Sequence, residues 1–195
     1  MWGCIIFAFD IETLDTRETA VVLSAAILWF DETKKYSYEE LVENTLLVKF
    51  DVKEQIQKYK RTVSKDTMDW WNTKVPKLTR DISFKPSDSD LSAKEGIDVL
   101  KSYIKDKTNN SESVVFIRGS FDQYISDHLC KYSLKEEPLF RYSSWRDFRT
   151  AIDILKETSR GGYCKIPGFD FENLVWKHNP KHDVASDVYM LLYGE

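Results

Sequence analysis

The sequence predicts an α/β protein, a mixed sheet covered by helices, and three observations carry that prediction. Two apolar runs, Cys4–Phe9 and Ala20–Phe30, come first, the second rich in β-branched residues. Strand-like and helix-like segments alternate after them, the order expected when helices pack on the faces of a sheet. Finally, 42% of the 195 residues are hydrophobic, enough for one core, so residues 1–195 read as one domain.

Cys4–Phe9 is continuously apolar, as in a strand buried on both faces. Ala20–Phe30 reads as a second, longer strand and Leu46–Phe50 as a third. Ser64–Lys74 predicts a helix with Ser64 as its N-cap. Ser87–Lys107 opens on Ser and Asp and carries Leu91, Ile97, Leu100 and Ile104 at amphipathic spacing. Ser113–Ile117 is a short β-branched strand, followed by Gly119 and a helical pattern through Tyr132. Arg141–Trp145 reads as a strand leading to a helix over Asp147–Glu157. Three glycines and Pro167 make Arg160–Gly168 a loop, and Ala185–Tyr193 predicts the last helix.

Charge narrows the function. There are 28 basic and 32 acidic side chains, a net charge of −4, so the broad basic character of many nucleic-acid binders is missing. A polyanion would have to be met by a local basic patch or by metal ions. Cys4, Cys130 and Cys164 are scattered and form no framework, which suits a reducing compartment. The opening apolar run is too short to span a bilayer and lacks the features of a signal peptide. A cytoplasmic protein without a membrane partner is expected.

The informative motif is Phe9-Asp10-Ile11-Glu12-Thr13. Asp10 and Glu12 close a buried strand two positions apart, so both point to one face. Adjacent carboxylates repel and resist burial, and a hard divalent cation between them relieves both problems. Asp122 follows another strand end, after Gly119, at a helix start. It suits either a helix cap or the same cleft, because neighbouring strand ends of an α/β sheet converge. Near the C-terminus, Pro180 is expected to break any helix between His178 and His182, with Asp183 as the N-cap of the last helix. His182 and Asp187 are five residues apart, about 140° around an ideal helix, so a loop histidine over a helical aspartate is the arrangement that joins them.

In order, Asp10-x-Glu12, Asp122 and His182-x4-Asp187 resemble the DEDDh exonuclease family. The segments IRGSFD around Asp122, WRDFRT at Trp145–Thr150, HDVASD at His182–Asp187 and DTMDWWNTK from Asp66 are similar to the exonuclease A group of tailed bacteriophages. The resemblance implies an RNase H-like mixed five-stranded sheet flanked by helices. It implies a 3′→5′ exonuclease that uses two divalent metal ions, Mg²⁺ or Mn²⁺, on a nucleic acid with a free 3′ end, DNA before RNA. It gives Asp10, Glu12, Asp122 and Asp187 as metal ligands and His182 as general base, leaving His178 without a role. The host cytoplasm follows if the chain is phage-encoded. Thr13 and Leu14 are implied contacts of the terminal nucleotide. Arg118, Arg146 and Arg149 carry forks suited to phosphate, with Arg149 the favoured one. Of Trp70 and Trp71, about 100° apart on a helix, one can stack on an end base while the other packs inward, and Trp71 is the expected stacking residue. The alternative is a non-catalytic nucleic-acid-binding or interaction protein on the same fold.

Overall fold

The computed structural model describes residues 5–109, 111–159, 164–170 and 176–195. β1 (Ile5–Thr13) pairs antiparallel with β2 (Val22–Phe30), placing Asp10 opposite Ala26 and Glu12 opposite Ser24. A register shift between Glu12 and Thr13 ends the regular ladder just beyond the two acids, the kind of irregularity that re-aims side chains at a site. α1 (Tyr38–Asn44) starts with a reciprocal cap between Ser37 and Glu40 and leads into β3 (Leu46–Lys49), antiparallel to β2. α2 (Val52–Gln57) and α3 (Lys65–Thr73) follow, capped by Asp51 and Ser64. A single turn, α4 (Lys77–Thr79), runs into a π-helical turn over Arg80–Phe84. α5 (Ala93–Thr108) is capped by Ser92 and Glu95. It starts six residues after Ser87, the start expected from the sequence, because Ser92 rather than Ser87 captures the orphan amide.

β4 (Ser113–Ile117) lies parallel to β1, and Gly119 turns the chain at φ +81°, a conformation that favours glycine. α6 (Phe121–His128) continues as a π-helical turn to Leu134. β5 (Trp145–Asp147) is parallel to β4 and runs directly into α7 (Phe148–Leu155), capped by Asp147. β5 begins where the strand expected at Arg141–Trp145 was to end. Tyr142–Ser144 instead form a 3₁₀ turn.

α8 (Pro180–Tyr193) starts five residues before the expected Ala185. Pro180 does not break this helix. It occupies the first helical position, where its missing N–H costs nothing, and Asn179 is the N-cap, its side chain accepting from the Lys181 amide. His182 and Asp183 therefore sit inside the first turn, and Asp183 is not the cap.

The sheet order is β3-β2-β1-β4-β5, the mixed five-stranded sheet expected. The alternation of β1 divides the core. Phe7, Phe9 and Ile11 pack with Ile97 and Leu100 of α5 and Ile125 of α6. Ile6 and Ala8 pack on the other face with Tyr38, Phe148, Val184 and Val188. Each fully buried large apolar side chain contributes about 1.5–3 kcal/mol. Asp10 and Glu12 share the parity of Ile6 and Ala8, so they continue the face covered by α8. Among the described residues, no helix is long and apolar enough to cross a membrane.

Candidate active site

The acids of β1 meet those of α6 and α8 where apolar packing on this face gives out. Burial pushes the Asp10 carboxyl well above the usual carboxylate range, and Asp122, Glu12, Asp183 and Asp187 push it further. Burial and then Asp122 do the same to Glu12. Asp122 is buried at the start of α6 and is pushed up to about 7, mainly by desolvation. It is oriented by the Ile11 amide, which donates to its Oδ1 at 3.3 Å. Charges of like sign have thus been gathered out of water, an arrangement that favours protonation or a bound cation.

Asp183 and Asp187 lie one turn apart on α8, on one face. Asp183 is raised by burial and by Glu12. Ligand atoms of Glu12, His178 and Asp183 all lie within 4.8 Å of one another, and His178 Nδ1 is 3.7 Å from Glu12 Oε1. Asp187 is engaged differently. The Arg118 guanidinium clasps it, with Nε 3.1 Å from each carboxylate oxygen and Nη2 donating to Oδ1.

The two histidines are on different sides of the helix start. His178 precedes the cap with φ +67°, a left-handed conformation uncommon for a residue with a Cβ, and its ring meets the edge of Trp70 at 4.6 Å. His182 points away from this group: its Nδ1 is 3.1 Å from the Tyr38 hydroxyl and its ring stacks on Trp176. Adjacent residues of a helix diverge by about 100°, so with Asp183 turned to the acids, His182 turns to Tyr38. The structure therefore brings together Asp10, Glu12, Asp122, Asp183, Asp187 and His178, with Asp187 also held by Arg118, while the His182 imidazole is engaged by Tyr38. Burial lowers the pKa of both histidines.

The donor set fits a hard divalent ion: carboxylate oxygens from three elements, desolvated and mutually repelling, with one imidazole at their edge. Residues 6–184 match the family described as the 3′-5′ exoribonuclease Rv2179c-like domain.

The chain belongs to that family. It is an Rv2179c-like 3′→5′ exonuclease, an enzyme acting on nucleic acid. It is similar to the exodeoxyribonuclease of Enterobacteria phage T4, with 30% identity over 96% of this chain and 88% of that one. Its fold is similar to that of E. coli ExoI solved with zinc and single-stranded DNA, with TM-score 0.55, 12% identity and 97% of this chain covered. A moderately thermophilic exonuclease I from Methylocaldum szegediense matches at TM-score 0.50, 12% identity and 85% coverage. The chain spans only 39% and 32% of those two structures, and at such identity they speak for the fold, which is the RNase H-like one expected.

The remaining expected residues of this Rv2179c-like exonuclease divide by exposure. Trp71 is 0% exposed, so it is no stacking surface. Its indole donates to the Thr13 carbonyl at 3.0 Å and its ring stacks on Phe84. Trp70 is the exposed neighbour, at 37%. Thr13 and Leu14 are buried. The Thr13 hydroxyl donates to the Asp15 carbonyl, and Leu14 packs with Val21, Leu23, Trp71 and Val75. Their side chains are thus committed inward, leaving only their backbone for a nucleotide. Arg149 is exposed on α7, and its charge reaches Asp122 and Asp187. The Arg146 guanidinium is tied to the Ser143 and Trp145 carbonyls.

Proposed function

We propose that this exonuclease releases nucleotides from the 3′ end of DNA, with Asp10, Glu12, Asp122 and Asp183 holding two divalent cations and His178 acting as general base. The observation that carries this reading is the convergence of Glu12, His178 and Asp183 within 4.8 Å, beside Asp10 and Asp122. His178–Asp183 and the pair expected from the sequence, His182–Asp187, are each five residues apart, so spacing alone does not choose between them.

These acids would hold Mg²⁺ or Mn²⁺, which when bound would supply charge neutralisation and stabilise an in-line displacement. The protein's own groups do the rest. His178, neutral near physiological pH because burial lowers its pKa, accepts the proton of the attacking water. Glu12 orients that imidazole. The Ile11 amide fixes the Asp122 carboxylate. Arg149, exposed at the cleft margin, offers its fork to a phosphate. DNA is preferred because the phage T4 relative is an exodeoxyribonuclease.

End-labelled DNA and RNA oligonucleotides, with Mg²⁺ or with EDTA, test this reading. The expected result is 3′-end shortening of DNA with Mg²⁺ and none with EDTA. His178→Ala should lower kcat by about 10²–10⁴-fold and abolish the rise of rate with pH. Near-normal turnover by His178→Ala would overturn the assignment of the base.

A further inference from the structure

Leading away from the acids, α6 and the π-helical turn after it carry a line of aromatic rings. Phe121, Tyr124, His128 and Tyr132 are separated by three, four and four residues, the spacings that put side chains on one face of a helix. Phe121 and Tyr124 meet edge to face at 5.5 Å, and the His128 and Tyr132 rings lie 4.9 Å apart and 33° from parallel. The line starts beside Asp122 and runs outward for about 16 Å at the helical rise. Its outer rings are not core: Tyr124 is 38% exposed and Tyr132 64%. The Tyr124 hydroxyl donates to the Thr16 carbonyl at 2.8 Å, which ties the near end of the line to the loop leaving β1.

Beneath these rings lies a cation without an acid. Arg61 is 4% exposed. Its Nε donates to the Ala20 carbonyl at 2.8 Å and its Nη2 to the Glu18 carbonyl at 3.3 Å. Its Nη1 donates to the Ser133 hydroxyl at 3.2 Å and to His128 Nδ1 at 3.3 Å. All four acceptors are neutral. Burial lowers the Arg61 pKa to about 10, so the guanidinium is charged at neutral pH, and among the described residues no carboxylate pairs with it. Asp127, on the same helix as the rings, is paired instead with Lys131 at 3.3 Å. Burial and then the Arg61 charge lower the His128 pKa, which keeps a neutral, flat ring in the line. An uncompensated charge leaves positive potential at the surface above it. Exposed rings over a positive potential match a single strand of nucleic acid, whose bases stack on aromatic faces while its phosphates seek cations.

We propose that the face of α6 from Tyr124 to Tyr132 is a track for the single strand behind the 3′ end, with upstream bases stacked on Tyr124, His128 and Tyr132 while the terminal nucleotide sits at the acids. This rests on the 3′ end being cut beside Asp122. A dinucleotide is too short to reach Tyr132, whereas a strand of fifteen nucleotides covers the whole line.

The test measures kcat and KM of the full chain with Mg²⁺ on a dinucleotide and on a fifteen-nucleotide single strand, each as DNA and as RNA. The proteins compared are wild type, Tyr132→Ala, Tyr132→Phe and Tyr124→Ala, with melting temperatures alongside. Tyr132→Ala should raise KM for the long strand by roughly 5–20-fold, the lower part of the range for losing one base–aromatic stack, and leave kcat and the dinucleotide KM within about twofold of wild type. Tyr132→Phe, which keeps the ring, should stay within about twofold on both substrates. Tyr124→Ala should weaken the long strand more than the dinucleotide. A Tyr132→Ala protein with an unchanged long-strand KM overturns the proposal. An equal rise on both lengths overturns it too, as does a Tyr132→Phe protein as weak as Tyr132→Ala. Should the wild type shorten only RNA, the preference for DNA fails, and the track stands or falls on the RNA strands by the same criteria.

Discussion

Asp183 and Asp187 are one turn apart on the same helix and burial raises both, yet their immediate partners differ. Asp187 is clasped side-on by Arg118. Asp183 is surrounded by carboxylate: burial raises it first, then Glu12, and the histidine beside it offsets this only in part. A buried acid that is matched by an arginine is part of the architecture. Buried acids set against one another hold free energy that a cation can release. The same contrast recurs at the end of β1. Burial acts upward on Asp15, but hydrogen bonds from the Arg17 and Thr62 side chains and the Thr16 amide hold it at about 2, whereas Asp10, five residues earlier, is driven well above the carboxylate range.

The largest expected effect separates the two α8 aspartates. Asp183→Asn should cut kcat by at least ~10³-fold, beyond the 10–100-fold typical of residues that only support a metal ligand, while raising the melting temperature of the metal-free protein. Asp187→Asn should lower the melting temperature instead. It breaks the pair with Arg118 and lowers turnover only ~10-fold. Steady-state kinetics and thermal melts of both variants read this crossing. Equal losses in both quantities would erase the distinction.

Next in size is the tryptophan pair. Trp71→Ala should destabilise the fold by about 3–5 kcal/mol, through loss of the buried ring and of its hydrogen bond to Thr13. Trp70→Ala should change stability by no more than ~0.5 kcal/mol but lower kcat severalfold, since its ring edge bears on His178. Denaturant titration and kinetics separate these outcomes.

A third effect is in the pH dependence of stability without metal. Asp122 has a folded pKa of about 7 against an ordinary 3.8, so the folded state binds more protons than the unfolded chain between those values. Stability is therefore highest below about pH 4 as far as this group is concerned, and declines as pH rises through 7. Saturating Mg²⁺, which binds the folded state only, should flatten that decline. Asp122→Asn should remove part of it, because the amide oxygen still accepts from Ile11 but carries no charge. Melting curves across this pH range check the sign.

Much of this was legible from residue pattern. The apolar run before Asp10 announced a buried strand, and period-two alternation put Asp10 and Glu12 on one face. Strand, Gly119 and helix brought Asp122 to the same end of the sheet. The start of the last helix was misplaced for one physical reason. Pro180 reads as a helix breaker from its ring, yet at the first helical position it is a helix starter. With Asn179 recognised as the cap, Asp183 and Asp187 would have fallen on one face, with His178 just before the helix. The orientation of Trp70 and Trp71 was not legible in the same way. Helical spacing shows that they diverge, but only the packing of Val21, Leu23 and Val75 decides which one is inside. The pairing of Arg118 with Asp187 is likewise a contact across 69 residues and leaves no local trace.

The proposal most in need of a test is that Asp183 rather than Asp187 completes the metal-binding acids. Anomalous diffraction from crystals of the wild-type chain soaked in Mn²⁺ tests it most directly. The account predicts anomalous peaks coordinated by Asp10 and Asp183, with Asp187 still on Arg118. A peak coordinated by Asp187, with Asp183 outside the coordination sphere, would contradict it.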